Sequence, residues 1–142
     1  MRRIARAVRD MRLGDWRFLL GLIVLAAIVR VSVMLTGFNR TVSGLPRIPL
    51  TQDGAPVEEA EMRRHRRAIS AASRLAPVLN CLSVSIAAWW LLRRRGIVTH
   101  MRFGMTKADT KLLAHAWIEH RGRPVTNERG LDRYVAFDSS ML

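Results

Sequence analysis

The spacing of apolar residues changes at Gly96, and that change limits the chain to helices packed on a small antiparallel sheet. Before it, the run Cys81-Leu82-Ser83-Val84-Ser85-Ile86-Ala87-Ala88-Trp89-Trp90-Leu91-Leu92 is almost wholly apolar and closes on Arg93-Arg94-Arg95-Gly96. Asn80 stands as its N-cap, cations occupy its last turn and a glycine stops it, so a helix is predicted over 81–95. A preceding helix is predicted from Val57 to Leu75, with Glu58, Glu59 and Glu61 early and arginines later, the order the helix dipole favours. Ala68, Ile69, Ala71, Ala72 and Leu75 supply its packing face, and Pro77 ends it. The two helices are expected to pack as a pair. After Gly96, Ile97 to Met105 reads as a strand and Thr106 to Asp109 as a turn. Leu112 to His120 reads as a second strand, Arg121-Gly122 as a hairpin turn and Arg123 to Glu128 as a third strand. Helices followed by an antiparallel meander make the fold class α+β.

The 142 residues suit one domain, read as a core over 57–142 preceded by a segment over 1–56. Residues 1–17 are basic, and Phe18 to Leu35 are nearly all apolar. The uncharged run, 18–29, is 12 residues long, short of the roughly 20 that cross a bilayer, and Arg30 interrupts it. A helix packed on the domain or lying at a membrane surface is therefore expected in preference to a span. Arginines ahead of the run would hold it on the cytoplasmic side if it inserted. A signal peptide is the weakest reading, because no small-x-small site precedes a polar start. Residues 36–56 form a turn-rich connector.

Lys and Arg number 24 against 11 Asp and Glu, a formal charge of +13. Such a surface attracts anions: nucleic acid, acidic lipid head groups or an acidic peptide. The positive charge gathers near the N-terminus, at Arg63, Arg64, Arg66 and Arg67, and at Arg93 to Arg95. Neither a stacking-aromatic sheet signature nor zinc-finger spacing accompanies it, so no nucleic-acid partner is expected.

Cys81 is the single cysteine, which excludes an internal disulfide. At the start of a helix it meets the positive end of the dipole, which favours the thiolate that serves as nucleophile in cysteine hydrolases. His115, in Ala114-His115-Ala116-Trp117, is the candidate base. On a strand Leu113, His115, Trp117 and Glu119 share one face, and the small Ala114 and Ala116 would let the other lie close to a neighbouring layer. His115 on a sheet face against the start of the Cys81 helix is the expected pairing. A third group must orient the imidazole. If residue 120 pairs with 123, the ladder brings 115 opposite Glu128; a one-residue bulge puts Asn127 there instead. Asp132 and Asp138 are substitutes lying beyond the hairpin. The bland readings are an inert buried thiol at Cys81 and a core histidine at His115. His65, His100 and His120 are expected at the surface, and Trp89, Trp90 and Trp117 in the core, with Trp117 as a second candidate for the cleft wall. Cys81 with one histidine lacks further ligands for a metal, so no metal or cofactor is expected.

Cys81-Leu82, the helix to Leu91-Leu92-Arg93-Arg94-Arg95-Gly96-Ile97, a strand ending near Gly104, and Ala114-His115-Ala116-Trp117-Ile118-Glu119 with Gly122-Arg123-Pro124-Val125 resemble one family over about 60–135. It is the lasso peptide leader peptidase, the protease half of the lasso-peptide B protein, with a transglutaminase/papain-like core. The N-terminal apolar helix also looks like the lead-in of such proteins. The resemblance implies a cytoplasmic cysteine peptidase that cuts the leader from a precursor peptide before an ATP-dependent cyclase closes the macrolactam. The family's cysteine maps onto Cys81 and its histidine onto His115. Its third member is usually an aspartate shortly after the Gly-x-Pro turn, where this chain has Asn127-Glu128. At this length a fused precursor-recognition domain is not expected, which implies a separate recognition protein. Two rivals remain: an acyltransferase that passes the Cys81 acyl group to an amine, and a noncatalytic membrane-associated scaffold.

Overall fold

The computed structural model describes residues 12–49, 57–76, 78–108, 111–125 and 131–138. Among the described residues four helices are followed by four strands: α1 (Leu13–Thr36), α2 (Phe38–Gly44), α3 (Glu59–Leu75), α4 (Cys81–Arg93), β1 (His100–Ala108), β2 (Lys111–His120), β3 (Arg123–Pro124) and β4 (Val135–Asp138), with a 3-10 turn at Leu131–Arg133 before β4. The fold is α+β, as the change of pattern at Gly96 predicts, with the apolar N-terminal helix in place.

Two helices end on glycines that the sequence supplies as stops. Gly37, at φ 84, closes α1 by donating its N–H to Val33 O at 3.0 Å. Gly96 closes α4 at φ 75, and Ile97 N–H reaches back to Leu92 O at 3.0 Å, the long bond of a Schellman stop. Leu92 and Ile97 are buried beside that bond, the apolar contact that accompanies the motif.

The core forms where α1 lies against α3 and α4. Phe18, Leu19, Leu22 and Ala26 of α1 meet Met62 and Ile69 of α3, Val84 and Leu92 of α4, and Ile118 of β2. Each large side chain buried this way contributes about 1.5–3 kcal/mol. The helices α3 and α4 pack more on α1 than on each other, so the expected pair is a three-helix layer. The opposite side of α1 is exposed: Leu20, Val24, Ile28, Val31 and Leu35 form a continuous apolar stripe at helical spacing. By length and composition the 24-residue helix is sufficient to cross a membrane, its most apolar 18-residue stretch having a mean hydropathy of 2.6. Its inner face is nevertheless spent on the domain, as expected for a packed helix.

The sheet order is β3-β2-β1-β4, antiparallel throughout. Residues 106–108, predicted as turn, remain in β1, because Ala108 still pairs with Lys111 and Thr106 with Leu113. Ile97 to Thr99, predicted as the start of that strand, precede it. The hairpin at Arg121-Gly122 has positive φ at both residues, 50° and 72°, the geometry of a type I′ turn. His120 pairs with Arg123 as predicted, and Val125 N–H bonds Ile118 O at 2.9 Å. The described third strand is therefore two residues long, and the ladder position expected for Glu128 lies outside the described residues. β4 adds to the free side of β1, with Ala136 opposite Gly104, a pairing absent from the sequence reading.

Candidate active site

Cys81 is the first residue of α4, held there by Asn80. The Asn80 Oδ1 accepts the Ser83 N–H at 2.8 Å, and Ser83 Oγ donates to Asn80 O at 3.1 Å. This cap leaves the other first-turn N–H groups directed at the positive end of the helix, where a thiolate is favoured.

His115 reaches the sulfur by an unexpected route. Ala114, Ala116 and Ile118 turn toward the helices, as do their β1 partners Met105, Phe103 and Met101. His115, Trp117 and Glu119 occupy the far face of the sheet. Cys81 meets β2 at its edge rather than on a face. Ala116 and Ile118 direct their peptide groups away from β1, and among the described residues β3 pairs with Glu119 and His120 while Val125 bonds Ile118. The edge at Ala116 is thus open to α4: Ser85 Oγ donates to Ala116 O at 2.9 Å, and the Ala116 N–H points at the Cys81 sulfur. There the His115 ring hydrogen-bonds Cys81.

That hydrogen bond is the largest cause holding the Cys81 thiol below its ordinary pKa. Burial opposes it, while the Ala116 N–H, the charge of His115 and the Leu82 N–H reinforce it. The arrangement favours a thiolate–imidazolium pair.

The far face holds the imidazole in place. Trp117 stacks against His115 with centroids 6.0 Å apart and planes 15° from parallel, and the Tyr134 ring lies 5.3 Å away. Glu119 pins Trp117, accepting its Nε1–H at 3.0 Å while pairing with Arg102 Nε at 3.1 Å. The close packing depends on Gly104, opposite His115. A Cβ there would stand 2.9 Å from both Trp117 Cζ3 and Tyr134 Cβ. Trp117 therefore packs behind the histidine and does not line the cleft.

Asn127 and Glu128, the candidates for the third triad position, lie outside the described residues. Asp132 is exposed in the 3-10 turn, and Asp138 stands in β4 opposite Arg102. Among the described residues no three His, Cys, Asp or Glu side chains gather as metal ligands.

Three expectations for the remaining side chains, those for His65, Trp90 and His120, are corrected. His65 is buried, wedged between the Phe18 ring at 4.7 Å and Arg95 Nη1 at 3.4 Å, because α1 covers its helix. Trp90 is only half-buried and donates to Pro46 O at 3.1 Å, tying the connector to α4. His100 is exposed as expected, while His120 is half-buried with Nδ1 at 2.7 Å from Val98 O. The sequence reading missed Ser85, Gly104 and Tyr134. A hydroxyl within an apolar helix and a glycine within a strand were the available signals for the first two.

Residues 25–138 match the model of the transglutaminase-like superfamily. No curated protein and no solved structure matches the chain. The match covers most of the sequence, and the chain belongs to that superfamily, whose members include cysteine peptidases and acyltransferases.

Proposed function

We propose that this transglutaminase-like protein is a cysteine peptidase that removes the leader from a lasso peptide precursor ahead of macrolactam closure. The single observation that carries the peptidase chemistry is the Cys81–His115 hydrogen bond at the start of a capped helix. The lasso-peptide assignment rests on the motif set around Cys81 and His115.

In this mechanism the Cys81 thiolate attacks the carbonyl at the leader–core junction. Electrons move onto the carbonyl oxygen, and N–H groups at the helix start stabilise the charge. Collapse of that intermediate breaks the C–N bond. His115 gives its proton to the departing amine, leaving a thioester on Cys81 and a neutral imidazole. Water then attacks the thioester, His115 takes its proton, and the leader acid departs as the thiolate returns. Passage of the same acyl group to an amine would make the protein an acyltransferase.

The partners that fit this reading are the precursor, a separate recognition protein that presents the leader, and the ATP-dependent cyclase that uses the released core. The location that fits is the cytoplasm. The outer stripe of α1 supports peripheral contact with a membrane, and the net charge of +13 favours an anionic one.

The test is incubation of the purified protein with a candidate leader–core precursor and its recognition protein, beside Cys81→Ala, with products weighed by mass spectrometry. Separate leader and core masses that vanish in the variant are expected. An intact precursor, or one joined to an added amine, overturns the hydrolase reading for that substrate.

A further inference from the structure

A cleft of about 310 Å³ opens beside Cys81, on the side of the sheet that faces the helices. Phe38 from the start of α2, Leu82 from α4, Phe103 and Met105 from β1, and Ala114 and Ala116 from β2 line it together with Cys81 and His115. None of these first six side chains carries a polar atom able to hydrogen-bond strongly. The two alanines leave the cleft open, since a larger side chain at either position would fill the space. Phe38 and Phe103 meet edge to face at 5.8 Å and form one wall. Both also border a second cavity, where Asn39, Ser43, Arg93 and Thr99 bring polar groups. Of the two cavities, the one lined by the nucleophile is the apolar one.

We propose that this cleft is a specificity subsite that takes an uncharged, apolar side chain flanking the scissile carbonyl. Resting on Cys81 as the nucleophile, it names the class of substrate residue that the site selects. A charged side chain entering the cleft would lose its water against the six apolar side chains described there, whereas an aliphatic one gains burial against the phenyl rings. Selection follows from the difference between these two outcomes.

The experiment compares alkylation of Cys81 in the whole protein by iodoacetamide and by N-hexyliodoacetamide, each rate divided by that of glutathione with the same reagent. The hexyl tail is expected to raise the normalised rate by about tenfold, the effect of burying part of the chain. Ala114→Leu, which fills the cleft at an exposed position, should bring the two normalised rates together. Met105→Glu, also on an exposed position, should do the same by charge, and circular dichroism checks that both variants fold. Equal normalised rates in the unmodified protein overturn the subsite. So does a hexyl preference that survives both substitutions. A Cys81 that reacts with iodoacetamide no faster than glutathione, with no change in His115→Ala, overturns the nucleophile itself, an outcome distinct from failure of the cleft.

Discussion

Ser85 donates its hydroxyl to the Ala116 carbonyl at 2.9 Å, and this bond ties the nucleophile helix to the strand that carries the histidine. Ser85 lies one helical turn after Cys81, and Ala116 directly follows His115 in the chain. The bond closes one side of the same peptide edge that offers its N–H to the sulfur. Ser85→Ala leaves that carbonyl buried without a partner, a cost of about 1–3 kcal/mol. A lower melting temperature is expected together with slower iodoacetamide labelling of Cys81. A loss of stability with unchanged labelling would reduce the bond to scaffolding.

Gly104 sets how closely the aromatic pair backs His115. In Gly104→Ala the new methyl meets Trp117 and Tyr134 at 2.9 Å. Overpacking of this kind costs about 1–3 kcal/mol. Lower thermal stability and weaker Cys81 labelling are expected together, and an unchanged melting temperature would contradict the close packing.

The His115 hydrogen bond lowers the thiol pKa, so its removal has a definite sign. Below its pKa the thiol is protonated and inert; above it, the thiolate reacts. Labelling of the unmodified protein should therefore persist to lower pH than labelling of a free thiol. In His115→Ala the profile moves up in pH, leaving less thiolate at neutrality. Coincident profiles would mean that His115 does not activate Cys81.

His65 gives the fold its own pH dependence. Burial lowers its pKa, with the charge of Arg95 adding to the effect and Glu61 opposing it. Because the folded value lies below the unfolded one, the unfolded chain binds the proton more readily. Stability is then intact above the ordinary histidine value of about 6.5 and declines as the pH falls below it. Melting curves from pH 7.5 down to 5 should show this decline. His65→Phe, which keeps a ring against Phe18, should flatten it.

The outer stripe of α1 gives the membrane proposal a direct test. Val24 and Ile28 are 58% and 56% exposed, so a Val24→Glu, Ile28→Glu double variant should keep its fold. Cosedimentation with vesicles containing phosphatidylglycerol is expected for the unmodified protein and should be lost in the double variant. Equal pelleting of both would remove this stripe as the contact.

Local chemistry was legible wherever the chain itself supplies both partners. Asn80 as N-cap, Gly96 as helix stop, Arg121-Gly122 as hairpin turn and the alternation of His115 with Ala114 and Ala116 all depend on neighbours within a few positions. Such features can be read from spacing alone. The end of β1 differs from the sequence reading because Lys107 and Ala108 carry weak strand preference, and the pairing of Thr106 to Ala108 with Lys111 to Leu113 decides the matter. His65 looked like one more polar residue in an arginine-rich helix until α1 covered it.

The sequence by itself determined the α+β order, the helix that presents Cys81 and the strand that presents His115, because these follow from periodicity and capping. Only the tertiary structure decided that the two meet at an open strand edge, with Ser85, Gly104 and Tyr134 in support and an apolar cleft alongside. Those relations join residues far apart in the chain: Ser85 and Ala116 are 31 positions apart, and the cleft wall sets Phe38 against Phe103. They depend on how α4 docks on the sheet, a choice made by the packing of α1, α3 and α4 together and encoded in no local stretch of the chain.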